Sequence, residues 1–347
     1  MHSIIHHTTA VSEALACLSR ASSFGVPVLF VVDEEGHFLG TFQDEDVRGG
    51  LVKGFELGDA VRHFMKTDVF SIVEGYQEYL SIQSLRAQCI HWIPVLDEKG
   101  KIRRILDLRN CLALLPLDAV IMAGGRGQRL SPLTEQVPKP MLKVGGRPLL
   151  EANIDRLKRF GIHRVYVSVH YLADQISDYL GDGTERGVRL QYVYEDRPLG
   201  TAGALRLIDD FKHPHILVMN ADLLTTIDFE AFYLSYIQSD ADMAVATVPY
   251  TVSIPFGVLE TNDANEVHEL REKPNITYFV NAGIYLIKRE LLHLIPADER
   301  FDATDLIQRV IDRGLKLVSF PILDYWLDVG KPEDYQRAQK DIQWLKL

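Results

Sequence analysis

The sequence predicts an α/β protein whose larger part is a mostly parallel sheet with helices on both faces, preceded by a smaller α+β module. Three observations predict this. Apolar strand segments alternate with helical segments from residue 119 onward. A glycine-rich loop follows the first of these strands, over residues 123–127. The first third of the chain contains an internal repeat, which indicates a separate domain.

The alternation can be followed along the chain. The predicted strands cover 119–122, 165–171, 190–195 and 216–220, and the helices between them cover 149–160, 173–180 and 202–211. This pattern favours a parallel sheet, in which ligands bind beyond the carboxyl ends of the strands. A tail helix is predicted over 333–344, and we expect it to pack back on the same domain.

The internal repeat aligns residues 28–51 with residues 92–115 at a constant offset of 64. Each copy predicts a strand, an Asp-x-x-Gly hairpin turn (Asp33 to Gly36 and Asp97 to Gly100), a second strand and a helix opened by polar residues. An amphipathic helix precedes the second copy over 77–88. Its counterpart before the first copy has one apolar face, formed by Val11, Ala14, Leu15 and Leu18.

Composition limits the classes of partner. The chain has 347 residues, a net charge of −11 and a pI near 5.6, which argues against a nucleic-acid or anionic membrane surface. Its apolar runs are too short to span a bilayer, and the first ten residues lack the apolar core of a signal peptide. Cys17, Cys89 and Cys111 have no metal-ligand spacing and are expected to be reduced and buried. We therefore expect a cytoplasmic protein.

The glycine-rich loop has the properties of a phosphate-binding loop. Gly124, Gly125 and Gly127 allow successive backbone N–H groups to converge on one anion. Arg129 can direct several donors onto phosphate oxygens, and Lys139, between two prolines, offers a point charge on a stiff backbone. Without these cations, the glycines would be equally well explained as a tight turn.

The string GGRGQRLSPLT followed by PKPML resembles the signature of the sugar-1-phosphate nucleotidylyltransferases. The EDRPLGTAGAL, NAGIY and YWLDVGKPEDY segments are most similar to bacterial guanylyltransferases, including those for glucosamine 1-phosphate and mannose 1-phosphate, and especially the CBS-bearing type of legionaminic acid (nonulosonate) pathways. The resemblance implies a Rossmann-like, GT-A-like nucleotidyltransferase fold over residues 117–347. It also implies GTP as the favoured nucleotide. This choice of base rests on the resemblance alone, because no residue by itself identifies guanine.

Two aspartates correspond to the family's magnesium ligands. Asp222 follows the strand 216–220 directly, on the same side of the sheet as the glycine loop, and Asp328 follows Trp326 near the end of the chain. The resemblance implies that the pair holds Mg²⁺, a cation that prefers oxygen ligands. In isolation, a strand-end turn and a helix N-cap would explain these residues better. Family members usually have Gly where this chain has Ala221, a difference we expect the backbone to tolerate.

The resemblance also assigns the remaining site residues. It implies that Arg129, Lys139, Asp222 and Asp328 are catalytic. The nucleotide-binding positions are Ala123, Gly124, Gly125, Gly127, Leu199, Gly200 and Thr201, and the sugar-phosphate-binding positions are Gly257, Glu272, Lys273 and Asn281. Alternatives remain for two of these segments: Leu199–Leu205 as a tight strand-to-helix connection, and Glu272–Lys273 as a surface ion pair.

The repeat over residues 1–115 resembles a tandem CBS-domain pair, a Bateman module, joined to the rest through a short linker at Pro116. Such pairs commonly bind adenosyl ligands, so the resemblance implies an adenine nucleotide near Asp46. Gln43 departs from the pattern, which has Thr there, and the second copy has Asn110 in place of the acid. A purely structural or oligomerising role is equally compatible, because fold does not establish a site. We expect a homo-oligomer.

The predicted reaction is transfer of a nucleoside monophosphate from a nucleoside triphosphate to a sugar 1-phosphate, giving an NDP-sugar and pyrophosphate. A sugar phosphate is already an anionic nucleophile, so no general base is needed. Two alternatives stay open. One keeps the fold but uses UTP, dTTP or CTP. The other is a nucleotide-sugar sensor without turnover, which the retention of two cations and two acids disfavours.

Overall fold

The structure is a computed structural model that describes residues 3–23, 25–74, 79, 81–88 and 90–345. The chain divides into two compact units, Met1–Leu112 and Ala113–Leu347. The division falls three residues before the boundary expected at residue 115. Cys89 and part of the predicted 77–88 helix lie outside the described residues.

The first unit repeats one arrangement of strands. Its elements are β1 (Ile4–His6), α1 (Val11–Ser23), β2 (Leu29–Val32), β3 (Phe38–Phe42), α2 (Asp44–Val52), β4 (Ile72–Val73), α3 (Ile82–Ala87), β5 (Trp92–Leu96) and β6 (Ile102–Asp107). The two sheets have the orders β1-β2-β3 and β4-β5-β6, each with one parallel pair and one antiparallel hairpin. The repeat in the sequence is therefore present in the backbone.

Local chemistry explains the hairpins and the first helix. Gly36 and Gly100 have φ values of +87° and +78°, and their N–H groups donate to the carbonyls of Asp33 and Asp97. The apolar face predicted for α1 is confirmed, with Val11 and its neighbours on that face packed in the core of this unit. That the unit is a CBS pair stays a prediction.

The helix predicted to close the second copy is absent from residues 108–115, all of which the structure describes. Asp107 accepts hydrogen bonds from the backbone N–H and side chain of Arg109, which holds a turn there. From Ala113 onward the chain belongs to the second unit, where the N–H groups of Ala113 and Leu115 donate to the carbonyls of Arg159 and Phe160. The apolar run is thus divided between two units, and too few residues remain for a helix.

The second unit contains the large sheet. Its strands are β7 (Leu117–Met122), β8 (Lys143–Val144), β9 (Arg147–Pro148), β10 (Arg164–Val169), β11 (Arg189–Tyr194), β12 (His215–Asn220), β13 (Leu223–Thr225), β14 (Met243–Ser253), β15 (Val258–Thr261), β16 (Val267–Arg271), β17 (Asn275–Lys288), β18 (Leu317–Pro321) and β19 (Trp326–Asp328). Its helices are α4 (Leu149–Arg159), α5 (Ala173–Leu180), α6 (Phe229–Gln238), α7 (Ala303–Asp312) and α8 (Pro332–Asp341).

A seven-stranded sheet in the described part of this unit has the order β11-β10-β7-β12-β17-β14-β18. Its strands run parallel except β17, which is antiparallel to both of its neighbours. The predicted mostly parallel sheet is confirmed. The chain moves outward from β7 through β10 to β11 and then returns to β12 on the other side of β7, so the strand order reverses between β7 and β12. Such a reversal opens a crevice at the carboxyl ends of these two strands.

Both faces of the sheet are covered, as predicted. On one face, Val120, Val218 and Ile287 pack with α7 and with the short 3₁₀ segments 203–207 and 289–294. On the other face, Phe320 of β18 lies 5.1 Å from Phe232 of α6, measured between ring centroids. Leu317 of the same strand packs on the first face, as the two-residue period of a strand requires.

The prediction of a helix over residues 202–211 is wrong. The structure has a short 3₁₀ helix over Gly203–Leu207, and Ile208 directly after it has an extended backbone. The N–H groups of Ala202 and Gly203 both donate to the carbonyl of Phe301. A further anchor is the buried carboxylate of Asp118, which accepts from the N–H groups of residues 212 and 213. These long-range hydrogen bonds outweigh the helix propensity of the segment, which Gly203 already weakens.

Two remaining expectations concern cysteines and membranes. Cys111 is buried, as expected, but Cys17 is only half-buried. Searching the described residues for a helix that is both apolar enough and long enough to cross a membrane finds none.

Candidate active site

The glycine loop follows β7 at the point where the strand order reverses. Gly127 has φ +62°, and a Cβ there would lie 2.8 Å from the Cβ of Lys139 and 3.0 Å from Cγ2 of Thr134. Only glycine fits this position without displacing its neighbours. The Thr134 hydroxyl donates to the Gly127 carbonyl at 2.9 Å, which fixes the loop. A Cβ at Gly125, in contrast, would meet no heavy atom within 4 Å, so the middle of the loop is open to a ligand.

Lys139 reaches from its stiff segment to both predicted metal ligands. It begins a short 3₁₀ helix over Lys139–Met141, with Pro138 as the preceding residue, and only 9% of it is exposed. Its Nζ donates to Oδ2 of Asp222 and lies 3.7 Å from Oδ1 of Asp328. A cation and two carboxylates therefore meet beside the glycine loop.

A small two-stranded sheet brings the aspartates together although they are distant in sequence. β13 and β19 pair antiparallel with Leu223 opposite Asp328, and the N–H of Val329 donates to the Asp222 carbonyl at 3.0 Å. The Trp326 indole N–H donates to the Ala282 carbonyl at 3.0 Å, which ties β19 to β17. The methyl group of Ala221, at the position where a glycine is usual, does not interrupt this pairing.

Asn153 is a supporting residue that sequence analysis missed. Its buried amide donates to the Leu223 carbonyl at 3.0 Å and to the Ala221 carbonyl at 3.4 Å, on either side of Asp222. It lies on the inner face of α4 and was counted there only as part of the helix. An amide side chain among the apolar residues of the inner helix face was the signal that could have found it.

Arg129 completes a charged cluster that consists of Arg129, Lys139, Asp222 and Asp328. A Cβ at Gly330 would lie 3.5 Å from Nη2 of Arg129 and 3.4 Å from Oδ1 of Asp328, so the guanidinium and this carboxylate flank the same glycine. Burial, followed by the negative charge of Asp222, raises the pKa of Asp328, and Lys139 and Arg129 partly oppose that rise. The structure thus brings together all four residues expected to be catalytic.

The two aspartates fit a divalent metal. Oδ1 of Asp222 and Oδ1 of Asp328 are both buried, and neither has a hydrogen-bond partner among the described residues. Buried carboxylate oxygens normally have one, so these two orphaned atoms indicate a cation that would satisfy them. Carboxylate oxygens are the ligands that Mg²⁺ prefers.

The predicted nucleotide segment around Leu199 is held by backbone contacts. Gly200 has φ +82°, and a Cβ there would lie 2.7 Å from the carbonyl of Phe301. The N–H of Thr201 donates to Oδ1 of Asp302 at 2.9 Å, and its hydroxyl accepts from the Ala303 N–H at 2.8 Å. The Thr201 side chain and backbone therefore hold the segment against Asp302 and Ala303.

Glu195 joins this segment to the glycine loop and was also missed. Its carboxylate is only 8% exposed, accepts from the Ser168 hydroxyl, and accepts from the Leu199 N–H at 2.8 Å. A Cβ at Gly124 would lie 2.8 Å from Oε1 of Glu195. The residue directly follows β11 at the carboxyl edge of the sheet. That position was the available signal, but the sequence analysis included the residue in the strand.

A family model described as nucleotidyl transferase matches residues 118–344. This range includes all four residues of the charged cluster. It also includes every strand of the seven-stranded sheet, apart from the first residue of β7. The chain belongs to the nucleotidyl transferase family. The expectation from the sequence motifs is confirmed at this level.

Three relatives with curated names each match about two thirds of this chain. A UTP--glucose-1-phosphate uridylyltransferase of Synechocystis sp. is 29% identical over 65% of this chain and 63% of its own length. A mannose-1-phosphate guanylyltransferase of Mycobacterium tuberculosis is 30% identical over 67% of this chain and 66% of its own. A D-glycero-alpha-D-manno-heptose 1-phosphate guanylyltransferase of Aneurinibacillus thermoaerophilus is 27% identical over 65% and 99%. The chain thus spans less than two thirds of the length of the first two relatives.

Two solved structures of one protein share the fold over about two thirds of this chain. HddC from Yersinia pseudotuberculosis is 28% identical, covers 65% of this chain and 99% of its own, and has a TM-score of 0.52. The same protein complexed with GMP-PN is 27% identical over the same shares, with a TM-score of 0.51. In both cases about a third of this chain has no counterpart.

The residues predicted to bind the sugar phosphate lie along an exposed ribbon of the nucleotidyl transferase domain, formed by the outer parts of β14 and β17 and by β15 and β16. The Asn281 side chain donates to the Tyr285 hydroxyl and accepts from the Gly283 N–H, both at 2.9 Å. A Cβ at Gly257 would lie 3.0 Å from Oε2 of Glu272, so these two meet. Among the described residues, neither Glu272 nor Lys273 forms a hydrogen bond or ion pair with the charged cluster.

Asp46, the predicted regulatory residue, lies in the first unit. Its buried carboxylate accepts from the Gln43 N–H at 2.8 Å and so caps α2, and Lys66 Nζ lies 3.6 Å from its Oδ1. Burial raises its pKa. The structure gives Asp46 a role in starting a helix, and its role toward a ligand stays a prediction.

Proposed function

We propose that the chain transfers a nucleoside monophosphate from a nucleoside triphosphate, with GTP favoured, to a sugar 1-phosphate, releasing an NDP-sugar and pyrophosphate. One observation carries the proposal. Arg129, Lys139 and the Asp222–Asp328 pair converge beside the open glycine loop, at the reversal of strand order. Two cations and two carboxylates at a phosphate loop match the needs of a reaction between polyanions.

The chemistry requires alignment more than proton transfer. A phosphate oxygen of the sugar 1-phosphate attacks the α-phosphorus and forms a new P–O bond. The bond from the α-phosphorus to the oxygen bridging the β-phosphate breaks, and pyrophosphate leaves with that electron pair. Arg129, Lys139 and the amides of the glycine loop stabilise the charge that develops on the phosphates. The attacking oxygen is already ionised near neutral pH, so no side chain has to remove a proton.

Asp222 and Asp328 are the residues that would hold Mg²⁺. When bound, the ion would neutralise phosphate charge and help to align the triphosphate. Support comes from their orphaned oxygens and from the pairing of β13 with β19, which presents both carboxylates to one place.

Guanine is the favoured base because of the relatives. Two of the three curated relatives described above are named guanylyltransferases, and HddC is complexed with GMP-PN. The third is a uridylyltransferase, so base choice has to be tested directly. Gly257, Glu272, Lys273 and Asn281 would line the sugar-phosphate side. For the first unit we retain the CBS pair, with an adenine nucleotide near Asp46 and association into a homo-oligomer, as proposals.

The test is pyrophosphate release in Mg²⁺ across a grid of nucleotides and sugars. The nucleotides are GTP, UTP, dTTP, CTP and ATP, and the sugars are the 1-phosphates of glucosamine, mannose, glucose and N-acetylglucosamine. We expect turnover with GTP and one sugar. Turnover only with another nucleotide would overturn the base assignment alone. Tight nucleotide binding in calorimetry without turnover for any pair would favour the sensor.

A further inference from the structure

We propose that Lys139 occupies the cation position between Asp222 and Asp328 in the ligand-free protein and competes with the divalent metal for these carboxylates. Metal binding is then weak until phosphate groups draw Lys139 away. The inference rests on the proposed function for the identity of the phosphates, but the competition itself belongs to three residues of this chain.

The contacts of Lys139 carry the first step. Its Nζ donates to one oxygen of Asp222 and lies 3.7 Å from Oδ1 of Asp328, so a single positive charge is shared by both carboxylates. The other Asp222 oxygen, Oδ1, is buried and unpartnered, and Oδ1 of Asp328 lacks a hydrogen bond. One ammonium group thus leaves the carboxylates incompletely satisfied, which a cation with several coordination positions would correct.

The charge balance carries the second step. By formal charge, the side chains of Asp222 and Asp328 contribute two negative charges and those of Lys139 and Arg129 two positive charges, so the cluster is close to neutral without a ligand. A divalent ion entering alone would produce a strongly positive, half-buried site. An anionic phosphate that binds together with the ion removes this penalty, because it offers Lys139 and Arg129 new partners.

The fold allows the Lys139 head group to move while its backbone stays. Its backbone is held between Pro138 and Pro140, and its Cβ would be only 2.8 Å from a Cβ at Gly127, so the stem packs against the glycine loop. Rotation about the outer side-chain bonds moves Nζ without disturbing this contact. Released from the carboxylates, the ammonium group remains beside the loop that is expected to hold phosphate.

The experiment measures Mn²⁺ binding to the nucleotide-free full chain by electron paramagnetic resonance. Mn²⁺ prefers the same oxygen ligands as Mg²⁺ and can be counted as the free ion. We expect Lys139→Met to bind Mn²⁺ at least about tenfold more tightly than the unmodified protein, because a like charge has been removed within a few ångströms. Lys340→Met, on the exposed side of α8, is the matched control and should change nothing.

Equal or weaker Mn²⁺ binding by Lys139→Met would overturn the proposal. Thermal unfolding gives a second readout: Lys139→Met should unfold at a lower temperature and regain more stability from Mn²⁺ than the unmodified protein does. The double variant Lys139→Met with Asp222→Asn should lose both effects. If Lys139→Met does not fold, Lys139→Gln removes the charge while keeping hydrogen-bond donors.

The outcome is separable from that of the proposed function. Tighter Mn²⁺ binding by Lys139→Met, together with no pyrophosphate release by the unmodified protein, would support the competition and refute the transferase. If Lys139→Met binds Mn²⁺ as the unmodified protein does, and the unmodified protein releases pyrophosphate, the competition is refuted and the transferase proposal stands.

Discussion

At the scale of single residues, Gly127 connects the glycine loop to Lys139. Gly127→Ala places a methyl group 2.8 Å from the Lys139 Cβ and forces a non-glycine residue to φ +62°. We expect a loss of about 1–3 kcal/mol in stability and a large drop in pyrophosphate release, because Lys139 is displaced.

The matched control is Gly146→Ala. Its φ is +85° and a Cβ there meets no heavy atom within 4 Å, so it has the strain without the clash. Thermal unfolding and turnover of the two variants separate these causes. If both variants behave alike, the contact between the loop and Lys139 does not matter for activity.

The charged cluster gives a second prediction at this scale. Lys139→Ala and Asp222→Ala should each lose most of the turnover while the protein stays folded, because each removes a group that acts on phosphate charge rather than one that maintains the core. Circular dichroism and pyrophosphate release are the measurements. Lys340→Ala and Asp178→Asn, both exposed, are the controls. Near-normal activity in Lys139→Ala or Asp222→Ala would remove that residue from its assigned role.

At the scale of elements, the Glu195 carboxylate connects the end of β11 to the Leu199 segment and to β10. Glu195→Ala removes the acceptor of the Leu199 N–H and of the Ser168 hydroxyl. We expect a higher KM for the nucleotide with a smaller change in kcat, and a loss of about 1–3 kcal/mol in stability. Glu195→Gln should restore much of both, because the Ser168 hydroxyl can reverse its role and accept from the amide.

Steady-state kinetics on the two variants decide the matter, with the exposed Glu185→Gln as a control. If Glu195→Gln is as defective as Glu195→Ala, the negative charge itself acts on the ligand. If Glu195→Ala keeps the original KM, the carboxylate does not position the nucleotide segment.

The elements also show what the sequence could and could not predict. The period of apolar residues predicted α5 with its correct bounds and β10, β11 and β12 within a few residues, since these elements are determined by local pattern. The helices predicted over 202–211 and within 108–115 were wrong because long-range hydrogen bonds determine the backbone there. The first segment donates to the carbonyl of Phe301, and the second donates to the carbonyls of Arg159 and Phe160. The pairing of β13 with β19 joins segments about a hundred residues apart and has no local signal.

At the site, chemistry-bearing residues in motifs were predicted and supporting residues were not. Arg129, Lys139, Asp222 and Asp328 stand in strings that resemble a family, and the structure brings them together. Asn153 and Glu195 act through backbone contacts that only the folded chain creates. Their positions, on the inner face of α4 and directly after β11, were the available signals, but the local sequence does not show which backbone groups these side chains hold.

At the scale of the whole molecule, the chain divides into two compact units, and the nucleotidyl transferase match lies inside the second. A chain of residues 113–347 should therefore fold alone and keep kcat and KM close to those of the full chain, because every residue of the charged cluster lies within it. Cooperative thermal unfolding and pyrophosphate release test this. A folded but inactive second unit would mean that the first unit contributes to catalysis.

The central claim is transfer of the α-phosphoryl group with its nucleoside. The most direct measurement is of where a ³²P label goes. The full chain is incubated with Mg²⁺, sugar 1-phosphate and GTP labelled with ³²P at either the α or the γ position. The account predicts that the α label appears in the NDP-sugar and the γ label in pyrophosphate. Transfer of the γ label to the sugar, or release of the γ label as inorganic phosphate, would contradict it.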